Sequence, residues 1–344
     1  MAAKKSPSDG GLTKLKAALR ADTPGRCYLF YGEETYLRDY YLAELKKQLL
    51  TPGLEAFNLH TFQGKELAFR ALQDAVDAFP MMAEHSMVVV YDYDLYANEE
   101  RRTQLEGLLG DLPDYLCLVF VYDQTEYKSG GNTRLGKLVK QVALPVEFRP
   151  QSQSDLNAWI RRRFKSFGKD IDNPTAEYLT FLCGGLMTGL ASEIEKIGFY
   201  APGKNITRAD IDAVADPVLD ARVFQMTDAI TNRNFPQAAA VLSDLYQLNN
   251  EPIMILAVLG KQLRQLWSAR LCLEHRKSQA ALAQLWEMRS DWQARKLMDA
   301  ARRFDLPWCR RAVVLAEETD VAMKSTGLNA EELLVDLLLK LAVN

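Results

Sequence analysis

The stretch "LFYGEETYLRDYYL", residues 29–42, holds the side chains whose types and spacing come nearest to a known chemistry. An apolar strand runs into Gly32 and a helical pattern follows, which is the layout of a phosphate-binding loop. A working loop of this kind reads G-x-x-x-x-G-K-[ST]. Its glycines let backbone N–H groups cradle phosphates, its lysine reaches the β- and γ-phosphates, and its hydroxyl holds Mg²⁺. Counted from Gly32, the second glycine position is Leu37, the lysine position is Arg38 and the hydroxyl position is Asp39. Leu37 prevents the close backbone approach. Arg38 keeps a positive charge in a longer, planar group. Asp39 repels phosphate unless a metal bridges the two. Glu33 and Glu34 add two negative charges where a polyphosphate would sit. The expectation is a loop that keeps the shape and has lost the nucleotide.

The rest of the chain offers no replacement chemistry. "MVVVYDYD" (87–94) is an apolar run closed by Asp92 and Asp94, the pattern of a Mg²⁺-holding strand. Without a phosphate loop, the two carboxylates are read as caps of a strand end that face solvent. No Ser-Arg-Cys stretch supplies an arginine to a neighbour's nucleotide. GxSxG, HExxH and Cys–His arrangements are missing, and His60, His85 and His275 leave little capacity for general-base catalysis. Cys27, Cys117, Cys183, Cys272 and Cys309 are scattered and form no CxxC pair, which suits buried free thiols in a reducing compartment. No catalytic residue, metal or cofactor is expected.

The elements that must position these residues fall into two styles. "CYLFYG" (27–32), "NLHTFQG" (58–64), "SMVVVYDYD" (86–94), "YLCLVFVYD" (115–123) and "LPVEFRP" (144–150) read as strands. Helical patterns lie between them, including 35–50 and 66–79, the latter with Leu72, Val76 and Phe79 on one face. Continuous apolar strands alternating with helices predict a parallel five-stranded sheet covered on both faces. Beyond Pro150 the strand signal stops. Helical patterns follow at 155–168, 174–185, 187–201 and 206–215, the last opening on Thr207 as an N-cap. From residue 220 to the end, long helices with short turns continue, the longest at 251–275. The predicted domains are an α/β domain at 14–150, a small helical domain at 151–217 and a helical bundle at 218–344.

Composition agrees with a folded, soluble protein of this size. The chain has 344 residues, 48% of them apolar and 25% charged, with a net charge of −3. That balance provides no overall positive field for nucleic acid, so any such contact needs a local patch. The opening "MAAKKSPSDGG" lacks the apolar core of a signal peptide. "LCLVFV" and "IMILAVL" are far shorter than the ~20 residues needed to span a bilayer. A cytoplasmic protein with no membrane partner is expected.

Taken in order, several stretches resemble one family. "YLFYGEETYLRDYYLAELKKQL", "GGLMTGLASEIEKI" (184–197), "ITRADIDAVA" (206–215), "VFQMTDAITNRN" and "EPIMILAVLGKQLRQLW" are similar to the delta subunit of the bacterial DNA polymerase III clamp loader, over about residues 14–342. The resemblance implies an AAA+-like α/β domain, an all-α lid and an all-α collar. It implies no ATP hydrolysis by this chain, even where the holoenzyme is classed as a DNA-directed DNA polymerase. Its implied role is to bind and open the ring-shaped sliding clamp (beta) for loading on primed DNA. The implied partners are the tau/gamma and delta-prime subunits in a heteropentamer, with primer–template DNA inside the assembly.

Site residues follow from the resemblance by position. In the family, adjacent apolar side chains on a short helix before the third strand enter an apolar pocket of the clamp. The matching stretch, "AFPMMAEHSMVVV" (78–90), places the pair at Met81 and Met82, with Pro80 at the first helical position and Phe79 bracing it. "IRRRFKSFGK" (160–169) and "RRFDLPWCRR" (302–311) are basic runs. Arg161, Arg162, Lys165 and, near the end of the collar, Lys324 are the candidate DNA contacts, against the alternative of solvated helix faces. The apolar terminal helix at 328–343 is read as packing partly on neighbouring subunits. Two other functions remain open on the residues: an AAA+-like ATPase with an unorthodox phosphate loop, and a helical adaptor that touches no clamp.

Overall fold

The computed structural model describes residues 9–288 and 291–343. They form two compact units. One comprises the chain up to Pro150 together with Leu186–Thr188, and the other Gln151–Gly185 together with the chain from Gly189 onward.

The first unit is built on β1 (Cys27–Tyr31), β2 (Leu59–Gln63), β3 (Ser86–Tyr91), β4 (Leu116–Val121) and β5 (Leu144–Glu147). All pairings are parallel, in the order β2-β3-β4-β1-β5. Its helices are α1 (Asp9–Arg20), α2 (Thr35–Leu49), α3 (Glu55–Asn58), α4 (Phe69–Asp77), α5 (Glu99–Gly110) and α6 (Arg134–Val142).

The side-chain alternation of a strand sorts the apolar residues into two cores. Cys27, Leu29, Val88, Val90, Leu118 and Phe120 pack with Leu72 and Val76 of α4, Leu105 and Leu109 of α5, and Leu135 and Val139 of α6. Tyr28, Phe30, Met87, Val89, Cys117 and Val119 pack on the opposite face with Leu15 of α1 and Leu42 and Leu45 of α2. β1, β3 and β4 are buried on both faces, which is why they read as unbroken apolar runs. Pro145 is tolerated because β5 is an edge strand. Among the described residues no helix is long and apolar enough to cross a membrane.

One expectation fails at the end of α4. Phe79 is not on the helix's buried face but beyond its end. Ala78 is already extended, and Pro80 disfavours a helical conformation at Phe79.

In the second unit the helices are α7 (Gln153–Ser166), α8 (Asn173–Cys183), α9 (Met187–Tyr200), α10 (Arg208–Val214), α11 (Leu219–Thr231), α12 (Phe235–Gln247), α13 (Pro252–Glu274), α14 (Gln279–Leu285), α15 (Asp291–Ala301), α16 (Leu306–Ser325) and α17 (Ala330–Ala342). The first two residues of α9 group with the first unit. Thr207 caps α10 in a reciprocal box with Asp210. The larger core joins Val223, Met226 and Ile230 of α11 to Ile255, Leu259 and Leu263 of α13 and to Leu334, Leu337 and Leu341 of α17. A second core joins Leu266 and Ala269 of α13 to Leu282, Leu297 and Ala301.

Candidate functional site

The connection from β1 to α2 is three residues long: Gly32, Glu33 and Glu34. Gly32 adopts φ +118°, and a Cβ there would stand 2.4 Å from the carbonyl oxygen of Phe148. The backbone around it is tied to the chain beyond β5. Phe148 N–H donates to the Tyr31 carbonyl (2.7 Å), and Glu34 N–H donates to the Phe148 carbonyl (2.9 Å). Gly32 therefore serves a tight strand exit.

Leu37, Arg38 and Asp39 stand on α2, and each is occupied. Leu37 packs on the core beneath α2. Arg38 is buried, at 4% exposure. Its guanidinium lies 2.7 Å from Asp123 and 3.0 Å from Asp39. Burial opposes the charge on Arg38, but the hydrogen bonds to Asp123 and Asp39 outweigh it and hold its pKa above the ordinary value. Asp39 is thus a partner of Arg38 and not an isolated anion.

The expectation of two free negative charges in the turn is corrected as well. Glu33 is exposed, but Glu34 is fully buried. Both of its carboxylate oxygens accept from Met187 N–H, at 3.2 and 3.3 Å. An internal carboxylate sits where the sequence suggested an anion-repelling surface.

Asp92 also departs from its expected role. It does not simply face solvent at a strand end. Its Oδ1 accepts the backbone N–H groups of Asp123, Gln124 and Thr125, each at 2.9 Å, and the Thr125 hydroxyl at 3.0 Å. Burial raises its pKa, but these four hydrogen bonds prevail and hold it below the usual carboxylate value. Asp92 fixes the turn after β4, the same turn that supplies Asp123 to Arg38. Among the described residues, no group of three or more His, Cys, Asp or Glu could hold a metal ion. All five cysteines are buried, and burial pushes the Cys27 thiol up to about 12.

The second feature is the segment between α4 and β3. No helix forms there: residues 78–80 are irregular and 81–84 are a series of bends. Met82 takes a left-handed φ of +54°. The expected short helix with Pro80 at its first position is thus replaced by a loop. The side chains point outward, with Phe79 84%, Met81 52% and Met82 85% exposed. The Phe79 ring leans on Tyr115 at 5.2 Å, and the Tyr115 hydroxyl donates to the Asp77 carbonyl.

Two neighbours of this loop carried no sequence signal. Asn58, fully buried, accepts Met81 N–H through Oδ1 (2.7 Å) and donates through Nδ2 to the Met81 carbonyl (3.0 Å). Phe57, beside it on α3, is 55% exposed. Only an exposed aromatic next to a polar residue at a strand entrance could have hinted at them.

Of the four basic candidates, Arg161 and Arg162 are exposed on α7. Lys165 pairs with Asp170 at 2.8 Å, and Lys324 on α16 pairs with Asp320 at 2.7 Å. Two of the four charges are therefore partly neutralised by carboxylates. Among the other residues of these runs, Arg163 lies over the Trp159 ring at 5.8 Å.

Fold and site together define a class. It is a parallel α/β domain of phosphate-loop layout whose loop is closed by its own side chains, continued by an all-helical region. The model of the DNA polymerase III delta subunit matches residues 28–149, and the model of that subunit's C-terminal domain matches residues 220–341. The chain belongs to the DNA polymerase III delta subunit family. It is 26% identical over 319 residues to the DNA polymerase III subunit delta of Bacillus subtilis, covering 91% of each chain. It is 23% identical over 253 residues to a probable DNA polymerase III subunit delta of Aquifex aeolicus, covering 71% of each. The solved structure of the Bacillus subtilis DNA clamp loader delta protein shares the fold, with TM-score 0.53 and 23% identity over 97% of this chain and 100% of that one.

Proposed function

We propose that this chain is the non-catalytic clamp-loader subunit that binds the sliding clamp and opens it, and that its clamp contact is the tip formed by Phe79, Pro80, Met81 and Met82. The observation that carries the reading is the exposure of three large apolar side chains on one hydrogen-bonded loop, in a chain of the delta family. Residues 78–83 include no charged side chain. A methionine withdrawn fully from water on binding contributes on the order of 1.5–3 kcal/mol, and its flexible thioether suits an irregular apolar pocket. The tip opens the ring only by its differential affinity for the open and closed states.

The lapsed loop supports the same reading. Arg38 is committed to Asp39 and Asp123, and Gly32 to a tight turn, so the domain acts as scaffold and binds no nucleotide. In this reading residues 151–217 are the lid and 218–344 the collar, which joins the tau/gamma and delta-prime subunits in a heteropentamer in the cytoplasm. Arg161, Arg162, Lys165 and Lys324 are then candidates for phosphate contacts to primer–template DNA in the assembly.

The test is surface plasmon resonance of the purified chain on the sliding clamp of the same organism, without nucleotide. Wild type is expected to bind, and a Met81→Ala/Met82→Ala variant of unchanged helicity to lose roughly a hundredfold or more in affinity. Undiminished binding by the variant would remove the tip from the contact. No binding by either protein would favour the adaptor reading.

A further inference from the structure

The exposed apolar tip is hydrogen-bonded to a second chain segment. The tip is Phe79–Met82. The second segment is α3, which ends in Phe57 and Asn58. Asn58 is fully buried, yet both N–H groups of its amide and its oxygen serve local backbone: Nδ2 donates to the carbonyls of Leu54 (3.2 Å) and Met81 (3.0 Å), and Oδ1 accepts Met81 N–H (2.7 Å). A buried amide that spends its donors this way fixes one segment against the other. It also helps hold the left-handed Met82, a conformation that costs about 1–2 kcal/mol outside glycine.

We propose that Phe57 belongs to the clamp-contact surface with Phe79, Met81 and Met82, and that Asn58 is the positioning residue that holds the two segments together. The proposal rests on the tip being the clamp contact, as put forward above. The Asn58–Met81 bonds tie the residue after Phe57 to the tip, Phe57 is 55% exposed, and residues 78–83 carry no charged side chain. The occupant is an apolar depression on the sliding clamp, continuous with the pocket that takes Met81 and Met82. A surface held in advance loses little side-chain and loop freedom on docking, so more of its burial is retained as affinity.

The experiment uses the full chain on the immobilised clamp, with three single variants and two double variants. Phe57→Ala is expected to weaken binding roughly tenfold, mainly through faster dissociation, with an unchanged melting temperature. Asn58→Ala is expected to weaken binding and to speed amide exchange at Met81. Its effect should be clearly smaller in a Met82→Ala background than in wild type, because it acts through the tip. A general structural defect would instead add independently in both backgrounds. If Met81→Ala/Met82→Ala abolishes binding while Phe57→Ala binds as wild type does, the two-segment surface is wrong and the clamp contact stands. If Met81→Ala/Met82→Ala binds normally, the underlying reading fails first. If Phe57→Ala instead relieves a concentration-dependent self-association seen by sedimentation and leaves clamp binding intact, the surface serves a second copy of this chain and the proposal is overturned. Should Asn58→Ala misfold, Phe57→Ala alone still decides membership of the surface.

Discussion

At the scale of residues, the degenerate loop shows how a charged position can be reassigned without being deleted. Arg38 retains its charge but is buried against Asp123 and Asp39. Asp92 retains its carboxylate at a strand end and uses it on three backbone N–H groups and one hydroxyl. Asp92 has a pH consequence with a definite sign. Its folded-state pKa lies below the ordinary 3.8. The ionised form therefore stabilises the fold fully above that ordinary value, and this contribution is lost as pH falls through the lower folded-state value. Asp92→Asn should lower the urea midpoint at pH 7 by an amount equivalent to about 1–3 kcal/mol. The gap from wild type should narrow as the pH is taken from 5 toward 2. A constant gap across that range would show that charge at Asp92 contributes nothing.

At the scale of elements, the exit of β1 and the loop before β3 illustrate opposite constraints. Gly32 must be glycine for two separate reasons, its φ of +118° and the 2.4 Å approach of the Phe148 carbonyl to any Cβ. Gly32→Ala should cost roughly 2–4 kcal/mol, read as a lower midpoint in chemical denaturation. Gly53→Ala is a useful control, because that glycine also has a positive φ, +85°, but open space around its Cβ position. If both substitutions cost the same, backbone conformation alone explains Gly32 and the strand-exit packing does not matter. The loop before β3 is constrained by hydrogen bonds to Asn58 and not by a helix, so its side chains remain in water while its backbone is fixed.

At the scale of the whole molecule, each unit has two apolar cores of its own, and the chemistry-poor reading can be tested on the intact chain. A ligand present at 100 times its Kd stabilises the folded state by about 2.7 kcal/mol. An ATPase of ordinary affinity would therefore show a melting-temperature rise of several degrees in millimolar Mg·ATP. The expectation here is no rise. A rise that Arg38→Ala abolished would return the unorthodox-loop ATPase to first place.

The sequence by itself determined the five strands, their parallel arrangement and the change to all-helical structure after Pro150, because burial on both faces leaves unbroken apolar runs and amphipathic helices leave a 3.6-residue period. It also shows that the second glycine and the lysine of a phosphate loop counted from Gly32 are replaced by Leu37 and Arg38. α5 is not legible as a helix, because its charged and glycine-containing stretch blurs the apolar period, whereas α6 keeps that period in Leu135, Leu138, Val139 and Val142 but spans only nine residues. The tertiary structure alone decided which carboxylates face Arg38, that Glu34 is buried against Met187, that the Met81–Met82 segment is a loop, and that Asn58 holds it. Each of these depends on residues distant in sequence meeting in space. A pattern read along one chain reports which face of an element is apolar, but not which polar atoms from another element will satisfy it.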